Sequence, residues 1–302
     1  MDKIIKKYNI FKSEQLNKGW SRDLKLVLTD INANKYLLRI SDGSLFEKKK
    51  EQFELLQKLN LMDINCSKPI EFGQLNDGKV YMLLSWLEGV SAEESVCDMS
   101  DLQAYETGIE AGKTLKKLHK IPVCEPQQTW WQKYSEKIPK KIENLKNCGL
   151  CFKNQDRVIE YVCDNMSLVK NREQAFSHAD YHVGNMIVNN GKIGVIDFDK
   201  NTIADTYDDF KPFCWNVFAS EYFETGLING YFDNNPPQEF FKILALYAAE
   251  STLSHLPWSI KFGEKEIQTA YKVINSVLLW YDNFNLTIPT WYKGENPFKE
   301  IK

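Results

Sequence analysis

The spacing of apolar positions changes period partway along the chain. Residues 24–29 and 35–40 are short β-prone runs, and Asp30, Asn32 and Asn34 between them supply turn chemistry, so the pair predicts a hairpin. Residues 44–59 then space Phe46, Phe53, Leu55, Leu56 and Leu59 among charges at helical intervals, predicting one helix. Residues 69–75 and 80–86 flank Asn76-Asp-Gly-Lys79, whose Asp-Gly pair suits a tight hairpin turn. After Leu87-Glu-Gly89 long helical periods take over, at 101–119, 130–145, 156–170, 238–255 and 264–282. A short β island interrupts them at 186–189 and 192–196, about Asn190-Gly191. The fold class expected is α+β, with a β-rich part over residues 1–88 containing one helix and a larger, mainly helical part over 89–302.

Composition narrows the class of protein. With 43% hydrophobic and 26% charged residues in 302, the chain has the material for a packed core and is not disordered. A net charge of −3 argues against a task of gripping nucleic acid, which needs a cationic surplus. The balance is uneven, since residues 201–302 hold 13 acids against 8 lysines, so an anionic ligand suits the earlier part and a cationic one the last third. Residues 1–9 alternate Lys with Ile as an amphipathic helix does, not as a secretory leader, and no apolar stretch nears the ~20 residues of a membrane span. Seven scattered cysteines suit a reducing compartment, and Cys148 and Cys151 lack the second ligand pair a zinc site needs. A cytoplasmic protein without a membrane partner is expected.

The most informative stretch is residues 176–200, FSHADYHVGNMIVNNGKIGVIDFDK. Phosphoryl transfer needs a group to orient or deprotonate the attacking hydroxyl, hard oxygen ligands for magnesium, and cations around the phosphates. Asp180 can face a hydroxyl, while the amide oxygen of Asn185 and the carboxylate of Asp197 can share a metal.

His178-Ala-Asp180-Tyr-His182-Val-Gly184-Asn185, then a strand, a turn, a strand and Asp197-Phe-Asp199, resembles the catalytic and metal-binding segments of aminoglycoside phosphotransferases and their choline kinase-like relatives. The resemblance implies a bilobal protein kinase-like fold, with Asp180 as catalytic base, Asn185 and Asp197 as Mg2+ ligands, and His178 and His182 as support for the loop. It extends over residues 16–210. In Lys18-Gly-Trp-Ser-Arg-Asp23 it implies a nucleotide-covering loop in which Ser21 meets a phosphate. It places Arg39 where the family usually has a phosphate-binding Lys, with Glu51, or its rival Glu47 one turn earlier, as the helix acid that pairs with it. Backbone groups of Ser85, Trp86 and Leu87 would form the hinge against a purine. Gly112–His119 resembles a family helix ending in Leu-His. Asp208, or its neighbour Asp209, would fix the catalytic loop by hydrogen bonding.

The acceptor would then lie against the late helices, whose acids and aromatics include Glu221, Glu224, Glu250, Trp280 and Asp282. Carboxylates beside aromatic faces suit an amine-bearing compound. The activity expected is transfer of the γ-phosphoryl of ATP or GTP, with Mg2+, to a hydroxyl of a small molecule of the aminoglycoside kind. A metabolic acceptor such as choline, homoserine or a sugar is the alternative, and a pseudokinase, which would lose Asp180, Asn185 or Asp197, is the reading from outside enzymology.

Overall fold

The computed structural model describes residues 1–17 and 23–298, and the chain divides into two compact units. Met1–Val90 with Gly194–Asp199 form the first, and Ser91–Ile193 with Lys200–Lys302 the second.

The first unit is built on an antiparallel sheet. Helix α1 (Asp2–Lys7) leads into β1 (Ile10–Gln15), β2 (Leu24–Asp30) and β3 (Lys35–Ser41), followed by α2 (Phe46–Leu61), β4 (Pro69–Gln74) and β5 (Val80–Ser85). The strands lie in the order β1-β2-β3-β5-β4. Side chains alternate between the faces of a strand, so Leu26, Leu28, Leu38 and Ile40 reach one face and pack with Ile4 and Leu83. Arg39, between Leu38 and Ile40, therefore belongs to the opposite face, in register with Lys25 on β2 and Met82 on β5. Strand β1 was not foreseen in the sequence. Five of its six side chains are exposed, so it carries no apolar alternation, and only its pairing to β2 makes it a strand.

The short β6 (Val90–Ser91) marks the passage to the second unit. There α3 (Ala92–Ser95), α4 (Asp101–Leu118), α5 (Trp130–Asn147) and α6 (Gln155–Asn165) precede β7 (Gln174–Ser177), β8 (Met186–Asn189), β9 (Lys192–Val195) and β10 (Thr202–Asp205). Helices α7 (Phe213–Ala219), α8 (Glu221–Tyr231), α9 (Gln238–Ser259) and α10 (Glu264–Trp280) complete it. Capping boxes start two of these helices, Ser100 with Gln103 at α4 and Thr129 with Gln132 at α5, each satisfying backbone N–H groups the helix itself cannot. Strands β7 and β10 pair antiparallel, a long-range contact that four-residue runs do not advertise. Helices α7 and α8 are largely buried and so lack the polar face that reveals a helix in sequence. No helix of the described residues is long and apolar enough to cross a membrane.

Helices α4 and α8 meet through glycines. A Cβ at Gly108 would stand 2.1 Å from the Phe223 carbonyl oxygen, and one at Gly112 would stand 2.0 Å from that of Leu227. Gly226 and Gly230 reciprocate against the carbonyl oxygens of Tyr105 and Ile109 at 2.2 Å each. Backbone lies on backbone here, leaving no side chain to yield. Replacement of Gly112 by Ala is expected to lower stability by about 3 kcal/mol or more, the scale of an overpacked core site, whereas Lys113→Ala on the exposed side should stay within about 0.5 kcal/mol. Urea denaturation of the two variants checks this.

Candidate active site

The loop from His178 to Asn185 leaves β7 and is held at both ends. The Asp209 carboxylate, fully buried, accepts the Ser177 hydroxyl at 2.9 Å, the backbone N–H groups of His178 and Ala179 at 2.9 and 2.6 Å, and lies 3.0 Å from His119 Nε2. Those bonds pin Ala179 at φ +62°, a left-handed conformation that costs a non-glycine residue about 1 kcal/mol or more. At the far end the Val183 N–H donates to Asn216 Oδ1 at 2.8 Å, and the Tyr181 hydroxyl to the Ala111 carbonyl of α4 at 2.7 Å.

Between these anchors stands the Asp180 carboxylate, whose Oδ2 accepts from Lys200 Nζ at 2.9 Å and Asn185 Nδ2 at 3.1 Å. The same Asn185 nitrogen donates to the Asp180 backbone carbonyl at 2.9 Å. The amide nitrogen is thereby committed, and the oxygen is the atom left for a hard cation. His182 Nδ1 accepts the Gly184 N–H at 3.1 Å, and His178 is fully buried. The loop acid is Asp209, while Asp208 pairs with Lys211. Asp208 is therefore corrected as loop support. The two carboxylates are adjacent in a 3-10 turn, and burial beneath the loop distinguishes them. His119, at the end of α4, also accepts or donates through Nδ1 to the Tyr231 hydroxyl at 2.8 Å and so orients on Asp209.

In the first unit Asp197 is exposed and sits at φ +63°. Two residues on, Asp199 joins a buried ionic network. Arg39 Nη2 lies 2.6 Å from Asp23 Oδ2 and 2.7 Å from Asp199 Oδ2, and Lys49 Nζ lies 2.8 Å from Asp23 Oδ2. The acids that meet Arg39 are thus Asp23 and Asp199; Glu47 and Glu51 are exposed on α2, whose inward face carries Lys49 and Gln52 instead. The expected pairing with Glu51 is corrected on this geometry, because the helix phase turns the lysine inward and both glutamates to solvent. Burial raises the Asp23 carboxyl, but Lys49 and Arg39 outweigh it and bring it down to about 2. The Ser85 and Trp86 N–H groups already donate to the Lys68 and Lys35 carbonyls, at 2.8 and 3.1 Å. Ser21 lies outside the described residues. Among those described, no three His, Cys, Asp or Glu side chains gather as a metal site.

Two of the acids suggested for a cationic acceptor are unsuited to it. Glu250 is fully buried within α9 and meets Lys137 at 3.1 Å, Lys141, and Lys211 at 3.3 Å, so its charge is already compensated. Glu224 is fully buried, and burial pushes its carboxyl well above the usual range; it accepts Asn216 Nδ2 at 2.7 Å and so backs the loop anchor. Glu221 is half-buried and pairs with Lys293. Trp280 packs on Phe213 and Phe218, and Asp282 is exposed. Trp215 is 39% exposed with its ring 6.5 Å from that of His182, which makes it the open aromatic surface beside the loop.

Burial raises the Asp209 carboxyl, yet His119 and Ser177 outweigh it and hold it below its ordinary value of 3.8. A depressed carboxyl contributes stability that is present above the unfolded value and is lost as pH falls through the folded one. Asp209→Asn is expected to lower stability at pH 7 by about 2 kcal/mol and to flatten the loss seen on acidification below pH 4. Denaturation at pH 7 and pH 3 for both proteins tests this.

No curated protein matches the chain significantly by sequence. Among solved structures, the gentamicin-APH(2'')-IIa complex shares the fold at TM-score 0.64 and 16% identity, over 91% of this chain and 94% of that one. Spectinomycin phosphotransferase APH(9)-Ia with ADP and spectinomycin gives 0.65 at 16% identity over 94% of both chains. Amicoumacin kinase hAmiN with AMP-PNP, Ca2+ and Ami gives 0.62 at 15% identity over 95% of both. The likeness in fold accords with the β-sheet N-terminal region and helical C-terminal region. The family profile of the phosphotransferase enzymes (APH) matches residues 12–239, a span that contains both the loop at Asp180 and the segment at Asp197. The chain therefore belongs to the phosphotransferase enzyme family.

Proposed function

We propose that this phosphotransferase moves the γ-phosphoryl group of ATP or GTP to a hydroxyl of an amine-bearing small molecule, of which an aminoglycoside is the type. The observation that carries the reading is the carboxylate of Asp180, fixed between two buried anchors and hydrogen-bonded to the Asn185 amide. A carboxylate so held can accept the proton of an attacking hydroxyl without first losing the entropy of a mobile side chain. Asn185 would offer its amide oxygen, and Asp197 its carboxylate, to Mg2+. That ion, when bound, neutralises charge developing on the phosphates. Arg39 supplies a planar guanidinium, able to hold a phosphate by two parallel hydrogen bonds.

The acceptor class rests on charge and on the relatives in fold. Trp215 gives an exposed ring beside the catalytic loop, and Asp282 is an exposed carboxylate, features that attract ammonium groups. The fold relatives named above are described with gentamicin, spectinomycin or amicoumacin bound, which favours an antibiotic panel as the first set of acceptors.

Nucleoside diphosphate release, measured with magnesium, ATP or GTP and a panel of aminoglycosides, other antibiotics, choline, homoserine and sugars, tests the reading. Release that depends on an amine-bearing acceptor, and that Asp180→Ala lowers roughly 10²- to 10⁴-fold in kcat, is expected for loss of a general base. Release stimulated only by a neutral sugar would overturn the acceptor class, and release unchanged by Asp180→Ala would overturn the role of that carboxylate.

A further inference from the structure

Helix α2 turns two polar side chains into the interior of the first unit. Lys49 is 5% exposed and Gln52, one turn later on the same face, 6%. Lys49 Nζ lies 2.8 Å from Asp23 Oδ2 and 3.5 Å from Asp199 Oδ2. Arg39 reaches the same two oxygens at 2.6 and 2.7 Å. Each carboxylate oxygen thus bridges the same two cations, the coordination that a phosphate oxygen takes between a guanidinium and an ammonium.

The two acids are not equivalent. The Asp23 side chain is 6% exposed and also accepts the Ser41 hydroxyl at 2.7 Å, which makes it the fixed member. Asp199 is 23% exposed and lies on the Gly194–Asp199 segment, two residues from exposed Asp197, which makes it the member that can leave. Gln52 carries the second sign of an incomplete site. Neither its Nε2 nor its Oε1 has a hydrogen-bond partner among the described residues, although both are buried. Buried amides are almost always satisfied, and one left open points to a partner that arrives with a ligand.

Resting on the reading of the chain as a nucleotide-dependent phosphotransferase, we propose that Lys49 is a second phosphate-binding cation beside Arg39. In this arrangement Asp199 holds the place of a nucleotide phosphate oxygen until the nucleotide displaces it. Asp23 keeps both cations in position throughout, and Gln52 donates to the incoming phosphate. The cation and acid are thereby exchanged relative to the expected pairing: the helix brings the cation and the strand side brings the acid.

The test is calorimetric binding of ATP, GTP, ADP and adenosine to the wild type, Lys49→Met, Lys49→Gln and Asp199→Asn, with folding of each variant followed by circular dichroism. Removing Lys49 is expected to weaken ATP roughly 10- to 100-fold, as for loss of a hydrogen bond to a charged group, and to leave adenosine unchanged. Asp199→Asn, which removes the competing charge, is expected to tighten ATP in the absence of magnesium. Wild-type affinities retained by a folded Lys49 variant would sink the second cation. Weaker metal-free ATP binding in Asp199→Asn would sink the placeholder, and should neither Lys49 variant fold, this result decides the proposal. A wild type that binds neither ATP nor GTP would instead remove the phosphotransferase reading itself.

Discussion

The second unit is organised around one buried carboxylate. Asp209 gathers a hydroxyl, two consecutive backbone N–H groups and an imidazole, and no solvent reaches it. Removing such a carboxylate from water is unfavourable by several kcal/mol, and only a full set of donors offsets it. The converse is that the donors become fixed. His178 and Ala179 are two of them, so the strained turn that delivers Asp180 is set by the demand of Asp209 for partners, and the loop inherits its rigidity.

The support extends outward through close-packed helices. His119 ends α4, Tyr181 bonds to the Ala111 carbonyl on the same helix, and Tyr231 on α8 holds the other nitrogen of His119. Glycines at the α4–α8 contact let the two backbones approach until a methyl group would not fit. Changes in that contact would shift the His119 ring and the Ala111 carbonyl together. The buried Glu224 performs a parallel task on α8, orienting Asn216 and through it the Val183 end of the loop. The partly exposed Asp180 carboxylate is thus placed by buried groups behind the loop.

The first unit solves a different electrostatic problem. Arg39 and Lys49 are two cations taken from water, and Asp23 with Asp199 match them one for one. Such a network adds little net stability, because desolvation and attraction nearly cancel, but it fixes geometry. An arriving anion would compete with these acids for the two cations. Exposure distinguishes the two acids, and it favours exchange at Asp199.

The family and the order of most elements are legible in the amino-acid sequence. Asp180, Asn185 and Asp197 fall within one continuous ordered motif, and the β-prone run of 35–40 and the helical periods of 101–119 and 238–255 are local properties of the chain. The sequence by itself did not determine which acid would be buried. Asp208 and Asp209 are neighbours of identical chemistry, as are Glu47 and Glu51 one turn apart on α2, and which residue is buried there, one of these acids or Lys49 between the glutamates, depends on helix phase and on distant partners. Glu224 and Glu250 resemble surface acids in sequence because the three lysines and the asparagine that neutralise or accompany them come from other segments. Strand β1, with no apolar alternation, exists only because β2 offers it a ladder. Local pattern fixes what a segment can become, whereas burial and charge pairing are sums over contacts between distant segments, and only the tertiary structure carries them out.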